Sequence, residues 1–263
     1  MTPERWAQVD PRLRAAWECL VATGRRRFHD EDPALVKLMQ QAFLRCGPHA
    51  VRYAPWFDGG GQQLPADYVA YQEVLFENAP LTLVEVGTGS GGTTCFFAEV
   101  LERRLGRGGY HVVTVEVDES FPQARVRARD GVTCIFGDSA DATVLAQVRA
   151  ATCALPCAVT LDGDHDARHV LAELELYAPL VTPGQHLIVQ DTFLGLYWGG
   201  NLDGYQAAAA VARGDARAFD YHGCPLGAVE AFLEVHGDAW EVDLVPQRLL
   251  LTQNPYGYLR RRS

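Results

Sequence analysis

Thr82-Leu83-Val84-Glu85-Val86-Gly87-Thr88-Gly89-Ser90-Gly91-Gly92-Thr93-Thr94 is the stretch whose reading decides the fold. Apolar and β-branched residues lead to an acid, and a glycine-rich turn follows. The run from Cys95 to Leu101 then has helical character. The stretch therefore reads as a strand, a tight turn and a helix beginning near Thr93, with free N–H groups pointing back at the turn. Gly87, Gly89 and Gly91 let the backbone come close to a ligand. The same glycines satisfy the G-x-G-x-x-G spacing of dinucleotide folds, so alone they leave NAD open. Glu85 tips the reading. A loop that only cradles a pyrophosphate gains nothing from a carboxylate before it, whereas S-adenosylmethionine (SAM) carries an ammonium, a sulfonium and a ribose.

Outward from this stretch the pattern repeats. Strands are expected at 82–86, 111–117, 132–136, 157–161 and 186–189, separated by helical segments at 93–105, 121–128, 141–150 and 166–179. Such alternation implies a parallel sheet covered on both faces. A helix at 225–235 precedes strand-like runs at 240–245 and 247–251, with Pro246 between them. The expected fold is α/β: a Rossmann-like SAM-methyltransferase sheet, mostly parallel and seven-stranded, closed by a C-terminal antiparallel hairpin. Residues 1–64 are expected to be a separate N-terminal helical extension with a lid-like loop, and residues 65–263 the catalytic domain. Leu13, Trp17, Leu20 and Val21 recur at helical spacing up to Gly24, and Arg25-Arg26-Arg27 reads as that helix's basic end. A second helix starts at Pro33. The glycine-hinged segment 47–64 carries Tyr53 and Trp56, which suit a lid.

The bulk numbers narrow the function. The 263 residues, 48% hydrophobic and 21% charged, suffice for a full α/β core. A formal charge of −10 argues against nucleic acid as a partner. No signal peptide and no run of 18 apolar residues is seen, so a cytoplasmic protein with no membrane association is expected. Seven irregularly spaced cysteines, among them Cys153-x-x-x-Cys157, read as free thiols. The apolar faces of the N-terminal helices favour a homo-oligomer.

Acids follow the strands with unusual regularity: Glu85, Glu116, Asp138, Asp162 and Asp191. Ligands of open parallel sheets bind beyond the carboxyl ends of the strands, so these acids should share one crevice. Glu116 is placed to hold ribose hydroxyls. Asp138 and Ser139 fit an adenine amine, although Gly-Asp-Ser is also good turn chemistry. The cluster Asp162-Gly163-Asp164-His165-Asp166 would repel itself without a cation, and the chain's single lysine, Lys37, is far away in sequence. Oxygen ligands suit Mg²⁺, Mn²⁺ or Ca²⁺, with Asp191 as a further ligand. One of Asp164 and Asp166 is expected to cap the next helix. His165 suits a general base near neutrality, with Asp164 as the alternative. Tyr197, Trp198 and His222 are candidates for shaping an acceptor pocket.

Several motifs resemble, in order, the cephalosporin hydroxylase / rhamnosyl O-methyltransferase family. They are Val84 to Gly92, Gly137-Asp138-Ser139, Leu161 to His165, Leu171 to Leu174 with Tyr177 to Val181, Val189-Gln190-Asp191-Thr192, Ala228 to Leu233 and Leu249 to Leu259. The resemblance spans roughly residues 62 to 260. It implies a SAM-dependent, metal-assisted O-methyltransferase acting on a sugar or other natural-product hydroxyl, a rhamnose-type deoxysugar above all. It places metal ligands on Asp162 and the pair Gln190-Asp191, where relatives often have Glu-Asp; a neutral Gln lowers the charge of the site. The rivals are an NAD(P)-dependent sugar oxidoreductase and a non-catalytic SAM-binding subunit.

Overall fold

A computed structural model describes residues 1–42, 63–152, 154–198 and 221–263. Its centre is a seven-stranded sheet in the order β3-β2-β1-β4-β5-β7-β6. The strands are β1 (Thr82–Val86), β2 (His111–Glu116), β3 (Val132–Phe136), β4 (Cys157–Leu161), β5 (His186–Val189), β6 (Trp240–Val242) and β7 (Tyr258–Arg261). The first five pair in parallel. Strand β7 runs antiparallel between β5 and β6.

Every residue of β1 and β4 is buried, as a parallel sheet covered on both faces requires. Their alternation sorts two cores. Val84, Val86 and Val159 pack with α9 (Ala167–Tyr177) and the last long helix (Pro225–His236) through Leu171, Leu174, Val229 and Phe232. Leu83, Val112 and Ala158 pack with α5 (Pro65–Asn78) and α6 (Gly92–Leu105) through Tyr71, Leu75, Phe96 and Phe97. Emptying the site of a buried phenylalanine such as Phe97 costs about 3–5 kcal/mol.

The N-terminal extension folds onto this body. Helix α1 (Pro3–Trp6) is capped by Thr2, and α2 (Pro11–Thr23) by Asp10. Gly24 ends α2 in the left-handed conformation. Leu13 and Leu20 are buried, and the Trp17 indole donates to the His222 carbonyl at 2.8 Å. Val21, expected on the same face, is exposed. The three arginines do not close α2. Arg25 pairs with Glu234 at 3.1 Å, and Arg27 opens α3 (Arg27–Glu31). Residues 33–42 are helical and form α4. The segment carrying Tyr53 and Trp56 lies outside the described residues.

Two further expectations change. Residues 121–128 give only the short α7 (Ala124–Arg127), because Pro122 breaks the run. The final hairpin does not use 247–251. Pro246–Leu249 is a 3₁₀ turn, and β6 takes β7 as its partner instead. Pro246 lacks the donor a central strand needs, and the Gln247 side chain is used to hold the Tyr256 N–H at 2.7 Å. The remaining helices are α8 (Ala142–Ala151) and α10 (Phe193–Trp198), and Pro225–His236 is α11. No helix among the described residues is long and apolar enough to cross a membrane.

Candidate active site

The carboxyl ends of β1 to β5 open on a cleft of about 1150 Å³. Of the residues expected there, Gly87, Thr88, Gly89, Ser90, Glu116, Asp138, Ser139, Asp162, Asp164, His165 and Asp191 line it. The glycine loop is shaped by contact. A Cβ on Gly87 (φ +90°) would lie 2.1 Å from the Asp162 carbonyl oxygen, and one on Gly91 (φ +86°) 2.2 Å from Val126. Glycine at these positions lets the loop lie against β4 and α7. Gly91 thus shapes the loop without lining the cleft.

Glu116 accepts the Gly89 N–H at 2.8 Å, which ties β2 to the loop and leaves carboxylate lone pairs facing the cleft. Ser139 donates to Glu173 at 2.5 Å and meets His169 Nε2 at 3.1 Å. His169 and Phe121 also line the cleft, and sequence reasoning missed both. Exposed Phe121 and Val117 give this end apolar surface.

Three expected residues stand elsewhere. Glu85 is buried behind the loop, where its carboxylate accepts from the Thr94 and Thr114 hydroxyls at 2.5 and 2.6 Å. Burial pushes its pKa up to about 7. Strand alternation sends Glu85 to the α6 side, the side opposite Val86, so it supports the loop rather than a ligand. Gln190 is buried too. Its Oε1 accepts from Gln63 at 2.7 Å and Tyr71 at 3.0 Å, and its amide nitrogen donates to Thr160 at 2.8 Å. Those bonds occupy the amide, and Gln190 does not line the cleft. His222 is buried between the N-terminal extension and α11, donating through Nε2 to the Arg25 carbonyl, and does not line the cleft. Tyr197 and Trp198 belong to α10, which follows Asp191 directly; their side chains lie outside what is described.

The second half of the cleft is a cluster. Donor atoms of Asp162, His165 and Asp191 all lie within 4.8 Å of one another. Two carboxylates and an imidazole at that spacing fit a divalent cation. Asp191 adopts φ +54°, a conformation rare outside glycine and frequent at functional sites. His165 Nε2 stands 2.8 Å from Asp191 Oδ2. Burial works against the charged imidazolium, but the Asp191 carboxylate, with Asp162 and Asp164, holds its pKa up at about 9. Burial and the Asp191 charge push the Asp162 carboxyl well above the usual carboxylate range. Asp166 caps α9, and Asp164 accepts the Asp166 N–H at 2.8 Å.

Two glutamines that sequence reasoning did not single out orient the carboxylates. Gln63 approaches Asp162 Oδ2 at 3.4 Å, and Gln253 donates to Asp191 Oδ1 at 3.1 Å. Gln253 is itself held by buried Asp67, which accepts its N–H at 2.8 Å. A lone glutamine carries no chemical signature in sequence; Gln253 was visible only as part of the C-terminal family motif.

Fold and cleft together are those of a SAM-dependent O-methyltransferase. The family model described as Rhamnosyl O-methyltransferase/CmcI matches residues 51–262, and the chain belongs to that family. The rhamnosyl O-methyltransferase of Mycobacterium tuberculosis H37Rv is 28% identical over 199 residues, 74% of this chain and 73% of the relative. That of Mycobacterium leprae is 28% identical over 185 residues, 70% of this chain and 72% of the relative. Among solved structures, a magnesium and SAM form of CmcI superimposes with a TM-score of 0.54 at 20% identity, over 76% of this chain and 72% of CmcI. That likeness speaks to the fold.

Proposed function

We propose that this enzyme transfers the methyl group of SAM to a hydroxyl of a rhamnose-type deoxysugar, with a divalent cation, Mg²⁺ foremost, held by Asp162 and Asp191. One observation carries the cofactor reading. Among the described residues the cleft is lined by six carboxylates, Glu116, Asp138, Asp162, Asp164, Asp166 and Asp191, and by no lysine or arginine. Along the cofactor loop a dinucleotide pyrophosphate would meet like charge from these carboxylates. The sulfonium and ammonium of SAM meet complementary charge. This disfavours the NAD(P) oxidoreductase reading, and a paired carboxylate and imidazole beside the cofactor disfavours a merely binding subunit.

SAM lies along Gly87–Ser90, with Glu116 on the ribose hydroxyls and Asp138 and Ser139 at the adenine. The sugar lies over Asp162, His165 and Asp191. When bound, the cation lowers the pKa of the acceptor hydroxyl and orients it. Asp191 stands against His165 Nε2. With the carboxylates that hold its pKa at about 9 engaged by the cation, the imidazole would be neutral and Nδ1 free to take the hydroxyl proton. Gln63 and Gln253 keep the two carboxylates aimed, so much of the rate comes from alignment. Family membership and the two mycobacterial relatives support a rhamnose-type acceptor, and a nucleotide-linked sugar such as TDP-rhamnose in natural-product biosynthesis is the specific assignment.

The test is calorimetric titration of SAM and NAD⁺ with and without Mg²⁺, followed by transfer of labelled methyl to TDP-rhamnose with and without EDTA. Micromolar SAM binding, no NAD⁺ heat and EDTA-sensitive labelling are expected. Heat from NAD⁺ alone would sink the methyltransferase reading. SAM binding without labelling of any rhamnoside would sink the acceptor.

A further inference from the structure

The family model begins at residue 51, yet the chain before it reaches the cofactor cleft. Met1 lines the cleft. The Arg5 guanidinium pairs with Asp138 Oδ2 and with Asp141 at 3.3 Å, across more than 130 residues of sequence. The segment is anchored on its far side as well. Trp6 packs edge-on against Trp17 at 5.4 Å, and the Asp10 N–H donates to Glu175 of α9 at 2.9 Å.

Asp138 is thereby fixed at both oxygens. Oδ1 accepts the Ala140 N–H at 2.9 Å, and Oδ2 takes Arg5. A carboxylate offers about four acceptor sites, so a donor can still be received. Arg5 also supplies positive charge just behind a wall that is otherwise acidic.

We propose that Arg5 is a positioning residue of the cofactor site: it holds Asp138 in the orientation that reads the 6-amino group of adenine, so the N-terminal extension contributes to cofactor specificity. This rests on the SAM reading above. A fixed carboxylate accepts from the 6-amino group and repels a 6-oxo group, and a site built on a specific hydrogen bond discriminates strongly against the analogue that lacks it.

The test uses the full chain and two probes, S-adenosylhomocysteine and S-inosylhomocysteine, titrated into wild type, Arg5→Gln, Arg5→Lys and Arg12→Gln, with thermal melts to show each variant folded. Arg12 lies on the same extension, paired with Asp10 away from the cleft. The expectation is about tenfold weaker adenosyl binding in Arg5→Gln and at least about a fivefold smaller adenosyl-to-inosyl preference, with partial rescue by Arg5→Lys and no change in Arg12→Gln. A merely structural role would weaken both probes equally, so an unchanged preference overturns the proposal. Tighter adenosyl binding in Arg5→Gln also overturns it, and would mark the contact as a plug. If wild type binds neither probe, the cofactor reading falls and takes this inference with it. If wild type binds and Arg5→Gln behaves identically, only this inference falls.

Discussion

The two halves of the cleft handle their acids differently. At the ends of β1, β2 and β3 each carboxylate is committed to the protein: Glu85 to two threonine hydroxyls, Glu116 to the Gly89 N–H, Asp138 to Ala140 and Arg5. At the ends of β4 and β5, Asp162, Asp191 and His165 face chiefly one another. The first half is ordered before a ligand arrives. The second holds charge that, on the proposed function, a cation and a substrate would complete. Cofactor binding and chemistry should therefore separate under mutation.

The sharpest separation is expected from Asp191→Ala. Methyl transfer should fall about a thousandfold or more, because both the cation and His165 lose a partner. Affinity for S-adenosylhomocysteine should stay within about threefold by calorimetry; a parallel loss of both would erase the distinction between the halves. Gly87→Ala attacks the ordered half. A Cβ 2.1 Å from the Asp162 carbonyl oxygen, at φ +90°, should lower stability by about 3 kcal/mol or more and abolish cofactor binding, seen as a drop in Tm and a flat titration.

Glu85 tests the same half by pH. Its folded pKa, about 7, lies above the ordinary 4.5. The folded protein keeps a proton that the unfolded chain releases. Stability is then highest below about 4.5 and declines, by roughly 3 kcal/mol, as pH rises to 7. Glu85→Gln should remove this part of the decline in urea unfolding between pH 5 and pH 8. An equally steep decline in the variant would mean Glu85 is not the group titrating. The smallest effect on cation binding is expected from Gln190→Ala. Mn²⁺ affinity should change by less than about threefold, while stability falls by about 1–3 kcal/mol as Gln63, Tyr71 and Thr160 lose partners. A tenfold loss of Mn²⁺ binding would restore Gln190 to the ligand set.

What sequence showed and missed follows from period and reach. Five parallel strands were legible to within a residue, because each is an apolar run ended by turn chemistry. The crevice acids were legible for the same reason. Glu85 was misread because alternation along a strand decides which face a side chain takes, and nearness to the glycines masked that. The Gln190 amide and the two orienting glutamines depend on partners far away in sequence, which no local pattern announces. The last hairpin failed on Pro246: 247–251 has strand-like composition, but Pro246–Leu249 turns as a 3₁₀ helix and β7 takes the place beside β6.

Strand β7 brings residues 252–258 under β5. There Asn254 receives the Asp191 N–H at 3.1 Å, Gln253 holds its carboxylate, and Gly257 accepts the Val189 N–H. The cofactor loop and its acids, by contrast, come from one continuous stretch, 82–139. During synthesis the residues that orient Asp191 leave the ribosome after those of the cofactor loop, so the contacts of Asn254 and Gln253 with Asp191 are among the last that can form. Loss of residues 252–258 would strip Asp191 of the partners that hold its backbone N–H and its carboxylate.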